Sequence, residues 1–178
     1  MKKRHITGLL ASGLLASMLP GAVSAQGDAE GTMTWAFALT CDAGQGPAWA
    51  VPPCEFDEDT GILTVTILSA ERMAGTFDGV QSRAGTLEMA ENGDFSYAAD
   101  VIFAGTVEGC GSGTVYFEAK GEGNNDPSDI ATYTSNTYTV VPGGSLPVEG
   151  SVETPGTEAP NDDGTETMSY IGTYTCDA

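Results

Sequence analysis

The sequence predicts an all-β domain of about eight short antiparallel strands, closed as an up-and-down barrel or packed as a sandwich, and three observations carry that prediction. Large apolar residues alternate with small or polar ones at period two over much of the chain. A Gly-Thr-apolar triplet recurs at Gly31, Gly75, Gly85, Gly105, Gly113 and Gly172, roughly where strands begin or bend. No segment has a helical period of useful length. The spacing of the triplet is irregular, which excludes a solenoid or propeller, whose repeats hold a fixed period.

Taken in order, residues 31–41 alternate with Met33, Trp35, Phe37 and Leu39 on one face, the pattern of a half-buried strand. Residues 42–60, with Gly44, Gly46 and three prolines, read as loop. Ile62 to Leu68 is rich in β-branched residues and reads as a strand. Two shorter strands are expected near 73–80 and 83–90. Asn92-Gly93 is a hairpin signal leading into residues 95–103, where Phe95, Tyr97, Val101 and Phe103 share a face. A Gly-rich corner, Gly109-Cys110-Gly111-Ser112-Gly113, precedes residues 114–120, where Val115, Phe117 and Ala119 share a side. Residues 121–129 read as a polar loop, 131–141 as a long Thr/Tyr strand, 142–166 as an acidic Pro/Gly/Thr-rich loop and 167–176 as the last strand. Closure into a barrel leaves no edge exposed, and the last strand can pair back near the start.

The 178 residues carry 25 acidic and 6 basic side chains, a net charge of −19. Lys2, Lys3 and Arg4, the apolar run from Ile6 to Leu19 and small residues at Val23 and Ala25 form the pattern of a secretory signal peptide cleaved after Ala25. The expected mature chain, residues 26–178, is a single domain that is secreted or periplasmic. It keeps three basic residues, Arg72, Arg83 and Lys120, against all 25 acids, so its charge is −22. Such a field repels polyanions, which excludes nucleic acid as a partner, and no second apolar stretch reaches membrane-spanning length. His5, the only histidine, leaves with the leader, so imidazole-based catalysis and His-containing metal sites are excluded from the mature protein. An oxidising compartment makes two disulfides the default for Cys41, Cys54, Cys110 and Cys176. Of the three connectivities, Cys41 with Cys54 and Cys110 with Cys176 is favoured, because the first pair staples a proline-rich loop.

Three stretches resemble the allene oxide cyclase-like barrels, and more closely an uncharacterised bacterial branch of that group. They are Phe103-Ala104-Gly105-Thr106-Val107-Glu108-Gly109-Cys110-Gly111-Ser112-Gly113-Thr114-Val115, then Thr137-Tyr138-Thr139-Val140-Val141-Pro142-Gly143-Gly144-Ser145-Leu146-Pro147-Val148-Glu149-Gly150, where Leu146 and Pro147 depart from the group's pattern, then Tyr170-Ile171-Gly172-Thr173-Tyr174. Their order and spacing agree with that group over residues 74–176. The resemblance implies an eight-stranded antiparallel barrel with an apolar interior. The plant cyclase activity is not implied, since its active-site residues have no matching positions here.

No catalytic motif stands out, and nothing in the sequence calls for a cofactor. The strand aromatics Trp35, Phe37, Tyr97, Phe103, Phe117, Tyr138, Tyr170 and Tyr174 are the candidate lining of a ligand cavity, since small barrels either fill their interior or hold one small molecule. The partner expected on that reading is a small apolar or amphipathic ligand. Two other classes stay open: a cofactor-free isomerase or cyclase using Glu or Tyr as acid and base, and an interaction module acting through residues 142–166. The acidic clusters Glu55, Asp57, Glu58, Asp59 and Asp162, Asp163, Glu166 offer oxygen ligands for weak calcium binding, although neither follows the EF-hand pattern.

Overall fold

The computed structural model describes residues 25–35, 51–125 and 131–176. Within them the chain forms β1 (Ala25–Trp35), β2 (Val51–Asp57), β3 (Ile62–Gly75), β4 (Phe77–Ala90), β5 (Asp94–Val107), β6 (Gly111–Asn125), β7 (Ala131–Val141), β8 (Val148–Glu153), the two-residue strands β9 (Gly156–Thr157) and β10 (Ala159–Pro160), and β11 (Glu166–Cys176). There is no helix among the described residues. Eight of the strands pair antiparallel in the order β3-β4-β5-β6-β7-β8-β11-β1, and β1 pairs with β3 to close an up-and-down barrel.

The number eight agrees with the sequence, but the strands that make it up differ. The expected strands at 62–68, 73–80 and 83–90 are two long ones, β3 and β4, which reverse at Gly75-Thr76. Gly75 has φ of 109° and lies so close to the backbone of Glu30 that a Cβ would overlap the carbonyl oxygen, so only glycine turns the chain here. The missing eighth strand is β8, inside the 142–166 stretch read as loop. It joins β7 to β11 through Val148 and Val152, whose side chains enter the core.

β2 also falls where a loop is expected. Pro52 and Pro53 cannot donate to a ladder, but β2 is an edge strand and its register with β3 slips between Val51 and Glu55, the setting in which strand prolines are tolerated. Of the first expected strand, residues 36–41 lie outside the described residues, while pairing begins earlier than expected, at Ala25. The leader up to residue 24 also lies outside them.

Side chains alternate faithfully between wall and interior. Glu88, Asp100, Glu118 and Lys120 stand exposed on the outer wall. Inward, one half of the barrel is filled by Phe77, whose ring meets those of Phe103, Phe117, Tyr170 and Tyr174 edge-on at centroid distances of 5.5–6.2 Å. At that end the disulfide Cys110–Cys176 ties the β5–β6 turn to the closing strand, with Cα atoms 5.6 Å apart. Cys54 is disulfide-bonded too. Cys41, its expected partner, lies outside the described residues.

Candidate functional site

The interior is not apolar throughout, which corrects the expectation attached to the resemblance. On β3 the inward phase is set by Val65, Ile67 and Met73, and Ser69 and Glu71 share it. On β4 it is set by Phe77 and Leu87, and Gln81 and Arg83 share it. The hairpin register places Glu71 opposite Gln81 and Ser69 opposite Arg83, so four polar side chains meet inside the wall as two cross-strand pairs. Gln81 is fully buried, with Glu71 and Arg83 nearly so at 3 % and 7 % exposure.

Glu71 is the hub. Its Oε1 accepts from Ser69 Oγ at 2.7 Å and from Arg83 Nη2 at 2.6 Å, and its Oε2 accepts from Gln81 Nε2. The same Nη2 of Arg83 donates to Tyr138 Oη at 2.9 Å, and the guanidinium carbon lies 5.4 Å and 5.8 Å from the ring centres of Tyr97 and Tyr138. From Tyr97 the network continues across the barrel: its hydroxyl donates to Asn136 Oδ1, and Asn136 Nδ2 donates to Thr154 Oγ1. Gly121 makes room for it, since a Cβ there would strike the Tyr97 ring.

Burial works to strip the charge from Arg83, but the Glu71 carboxylate together with the Tyr138, Tyr97 and Tyr133 hydroxyls outweighs that effect and holds the guanidinium pKa above its ordinary value. Burial also pushes the Tyr97 and Tyr138 hydroxyls up, so both remain neutral at physiological pH. Two atoms in this square lack a partner: Gln81 Oε1, an acceptor, and Arg83 Nε, a donor. Buried polar atoms are satisfied in the great majority of cases, so two without a protein partner on a single strand face set this part of the interior apart.

A strap from Thr154 to Pro160 runs past this half of the barrel. Thr154 N bonds Asn136 O, and Glu158 N bonds Ala131 O at 3.0 Å. The Glu158 side chain turns inward, 5 % exposed, accepting from Tyr133 Oη at 3.2 Å and from the Ala131 amide at 3.4 Å. Burial, and then the Glu166 carboxyl facing it, push Glu158 up to about 8.

A concavity opens in the wall itself. β7 and β8 pair only from Thr137 to Thr139, and beyond that point they separate around a cleft of about 500 Å³ lined by Val115, Val140, Leu146 and Val148. Its size falls in the small-molecule range, but none of the predicted aromatics lines it.

The predicted lining residues divide. Tyr97 and Tyr138 belong to the polar network. Phe103, Phe117 and Tyr170 belong to the aromatic packing around Phe77, and Tyr174 Oη is tied to the Glu108 carbonyl at 2.9 Å. Trp35 is buried at the end of β1, and Phe37 lies outside the described residues. Sequence reasoning missed Ser69, Glu71, Gln81, Arg83, Asn136 and Glu158. The signal for the first four was their even spacing from the apolar inward positions of the same strands. Of the acidic clusters, Asp57 accepts from the amide of Asp59 at 2.9 Å and Asp163 from that of Thr165 at 3.0 Å, so each caps its own turn. Among the described residues no three carboxylates or thiols converge as a metal site, and no helix is long and apolar enough to cross a membrane.

No protein-family model matches the chain, and no curated protein is significantly similar to it.

Proposed function

We propose that the protein is an extracytoplasmic binding barrel for a small amphipathic molecule, with the polar end of the ligand held by Gln81 and Arg83. The observation that carries this reading is the pair of unpartnered buried atoms on an otherwise satisfied network. Burying an ion pair costs several kcal/mol, and well-packed apolar residues in its place are often neutral or stabilising, so the square has no need to exist for the barrel to fold. A ligand that completes it supplies the reason. Kinship with the allene oxide cyclase-like barrels belongs to this proposal and is supported by the Gly-rich corner, the tyrosine strand and the closing strand.

Native mass spectrometry of the protein secreted from its full-length precursor tests the reading. A bound mass that disappears on denaturation is expected; it is lost in Gln81→Met and retained in Leu146→Glu, which fills the wall cleft with charge. Loss in Leu146→Glu with retention in Gln81→Met would move the seat to the cleft. A second reading, a cofactor-free isomerase, is favoured by one feature: the Glu158 carboxyl keeps its proton near neutral pH beside Tyr133, as a general acid must. Conversion of the captured molecule by native protein, abolished in Glu158→Gln, separates catalysis from carriage.

A further inference from the structure

We infer that the interior site takes a ligand whose polar end is an uncharged group carrying both a donor and an acceptor, a hydroxyl or a carboxamide, and that it rejects carboxylates and ammonium ions. This inference rests on the proposed binding function and deepens it.

Three observations converge. The square is already closed in charge: Glu71 and Arg83 are paired at 2.6 Å, and its other two members, Ser69 and Gln81, are neutral, as are the adjoining Tyr97 and Tyr138. A charged newcomer would have no counter-ion left to meet, and burying an uncompensated charge is the most expensive substitution an interior can suffer. The donor inventory is equally restrictive. Gln81 Oε1 can only accept, so it needs a donor, which a carboxylate lacks; Arg83 Nε can only donate, so it needs an acceptor, which an ammonium lacks. A hydroxyl or an amide supplies both at once.

The third observation is placement. Gln81 and Arg83 are two residues apart on β4, so both side chains project from the same face of one strand. Beside them Gly85, Ala99 and Ala119 stand in register across β4, β5 and β6, the smallest side chains the inner wall could carry at that level. On the other flank Gln81 Nε2 lies 3.7 Å from Met33 Sδ, so the side of the pair turned away from Glu71 and Tyr138 meets an apolar side chain. The polar end of an amphipathic molecule is therefore fixed at one point, and the rest of it meets carbon and sulfur.

The test is a ranking of six-carbon probes against the full-length secreted protein at pH 7 by titration calorimetry: 1-hexanol, hexanamide, hexane, hexanoate and hexylammonium. The alcohol and the amide are expected to bind at least about tenfold more tightly than either ion, because only they satisfy both atoms without importing charge. Gln81→Met, close in volume to the native side chain, is expected to erase the advantage of hexanol over hexane, with near-ultraviolet circular dichroism reporting that the barrel is intact. Hexanoate or hexylammonium binding as tightly as hexanol would overturn this inference while leaving the binding barrel standing. So would hexanol binding no better than hexane. Absence of binding by every probe, with Gln81 Oε1 and Arg83 Nε bridged by water in a crystal grown with hexanol, would overturn both. The ranking on the unaltered protein is decisive on its own if Gln81→Met does not fold.

Discussion

Tyr170 and Tyr174 in the disulfide half of the barrel and Tyr97 and Tyr138 in the polar half all point inward from strands, yet their hydroxyls are held in different ways. Tyr170 Oη accepts from the Phe77 amide at 2.9 Å, and Tyr174 Oη donates to the Glu108 carbonyl at the same distance. Their partners are fixed backbone atoms at the β3–β4 and β5–β6 turns, so these two side chains pin turns to the closing strand. Tyr97 and Tyr138 instead meet Asn136 and Arg83, side chains with further hydrogen-bonding capacity. The contrast teaches that an inward tyrosine is defined by its partner: one bound to backbone pins a turn, and one bound to another polar side chain becomes part of an interior network.

The largest effect should come from breaking the polar half on one side only. Arg83→Met leaves Glu71 buried without its cation and is expected to cost about 3–5 kcal/mol in urea denaturation, whereas Glu71→Met combined with Arg83→Met recovers most of that loss. A double variant no more stable than Arg83→Met alone would show that the pair is not the unit described. The disulfide half answers to a different change. Replacing Cys110 and Cys176 by Ser opens a loop of 66 residues, and chain entropy sets the expected loss at about 4 kcal/mol, with probe binding retained once the protein is folded. Equal loss of binding in both experiments would erase the distinction between the halves.

A third effect is gradual and depends on pH. Glu158 holds its proton up to about pH 8 in the folded barrel, against an ordinary value of 4.5, so unfolding releases a proton between those limits. Stability therefore falls as pH rises from about 4.5 to about 8 and levels off above, and Glu158→Gln should flatten that slope in thermal melts. The smallest effect is Tyr170→Phe, which strands the Phe77 amide and is expected to cost about 1 kcal/mol without altering the hexanol affinity. A change in affinity there would mean that the two halves are coupled.

Much of the fold was legible because its strands obey the period-two rule: Phe95 to Phe103 and Val115 to Ala119 sit inward as their alternation requires. The β3–β4 hairpin was misread for the reason that makes it interesting. Ser69, Glu71, Gln81 and Arg83 occupy inward positions with polar side chains, so they interrupt the apolar pattern and make two long strands resemble three short ones. β8 was hidden because a six-residue strand with only Val148 and Val152 facing the core gives a weak signal inside an acidic, glycine-rich stretch. The predicted aromatics among the described residues are buried as their alternation requires, but sequence alone could not separate Tyr97 and Tyr138 from Tyr170 and Tyr174, because the partners come from residues 39 to 93 positions away.

On the proposed function, Arg83 Nε and Gln81 Oε1 hold the polar end of a ligand. The chain has three arginines, Arg4, Arg72 and Arg83, whose side-chain Nε–H signals can be resolved and assigned in ¹H–¹⁵N spectra with Arg72→Lys. On titration with 1-hexanol the Arg83 signal should move in step with the calorimetric binding curve while the Arg72 signal, from a side chain exposed on the outer wall beside Asp78, stays in place. A binding curve with no movement at Arg83 would contradict the account, because the ligand would then be held elsewhere.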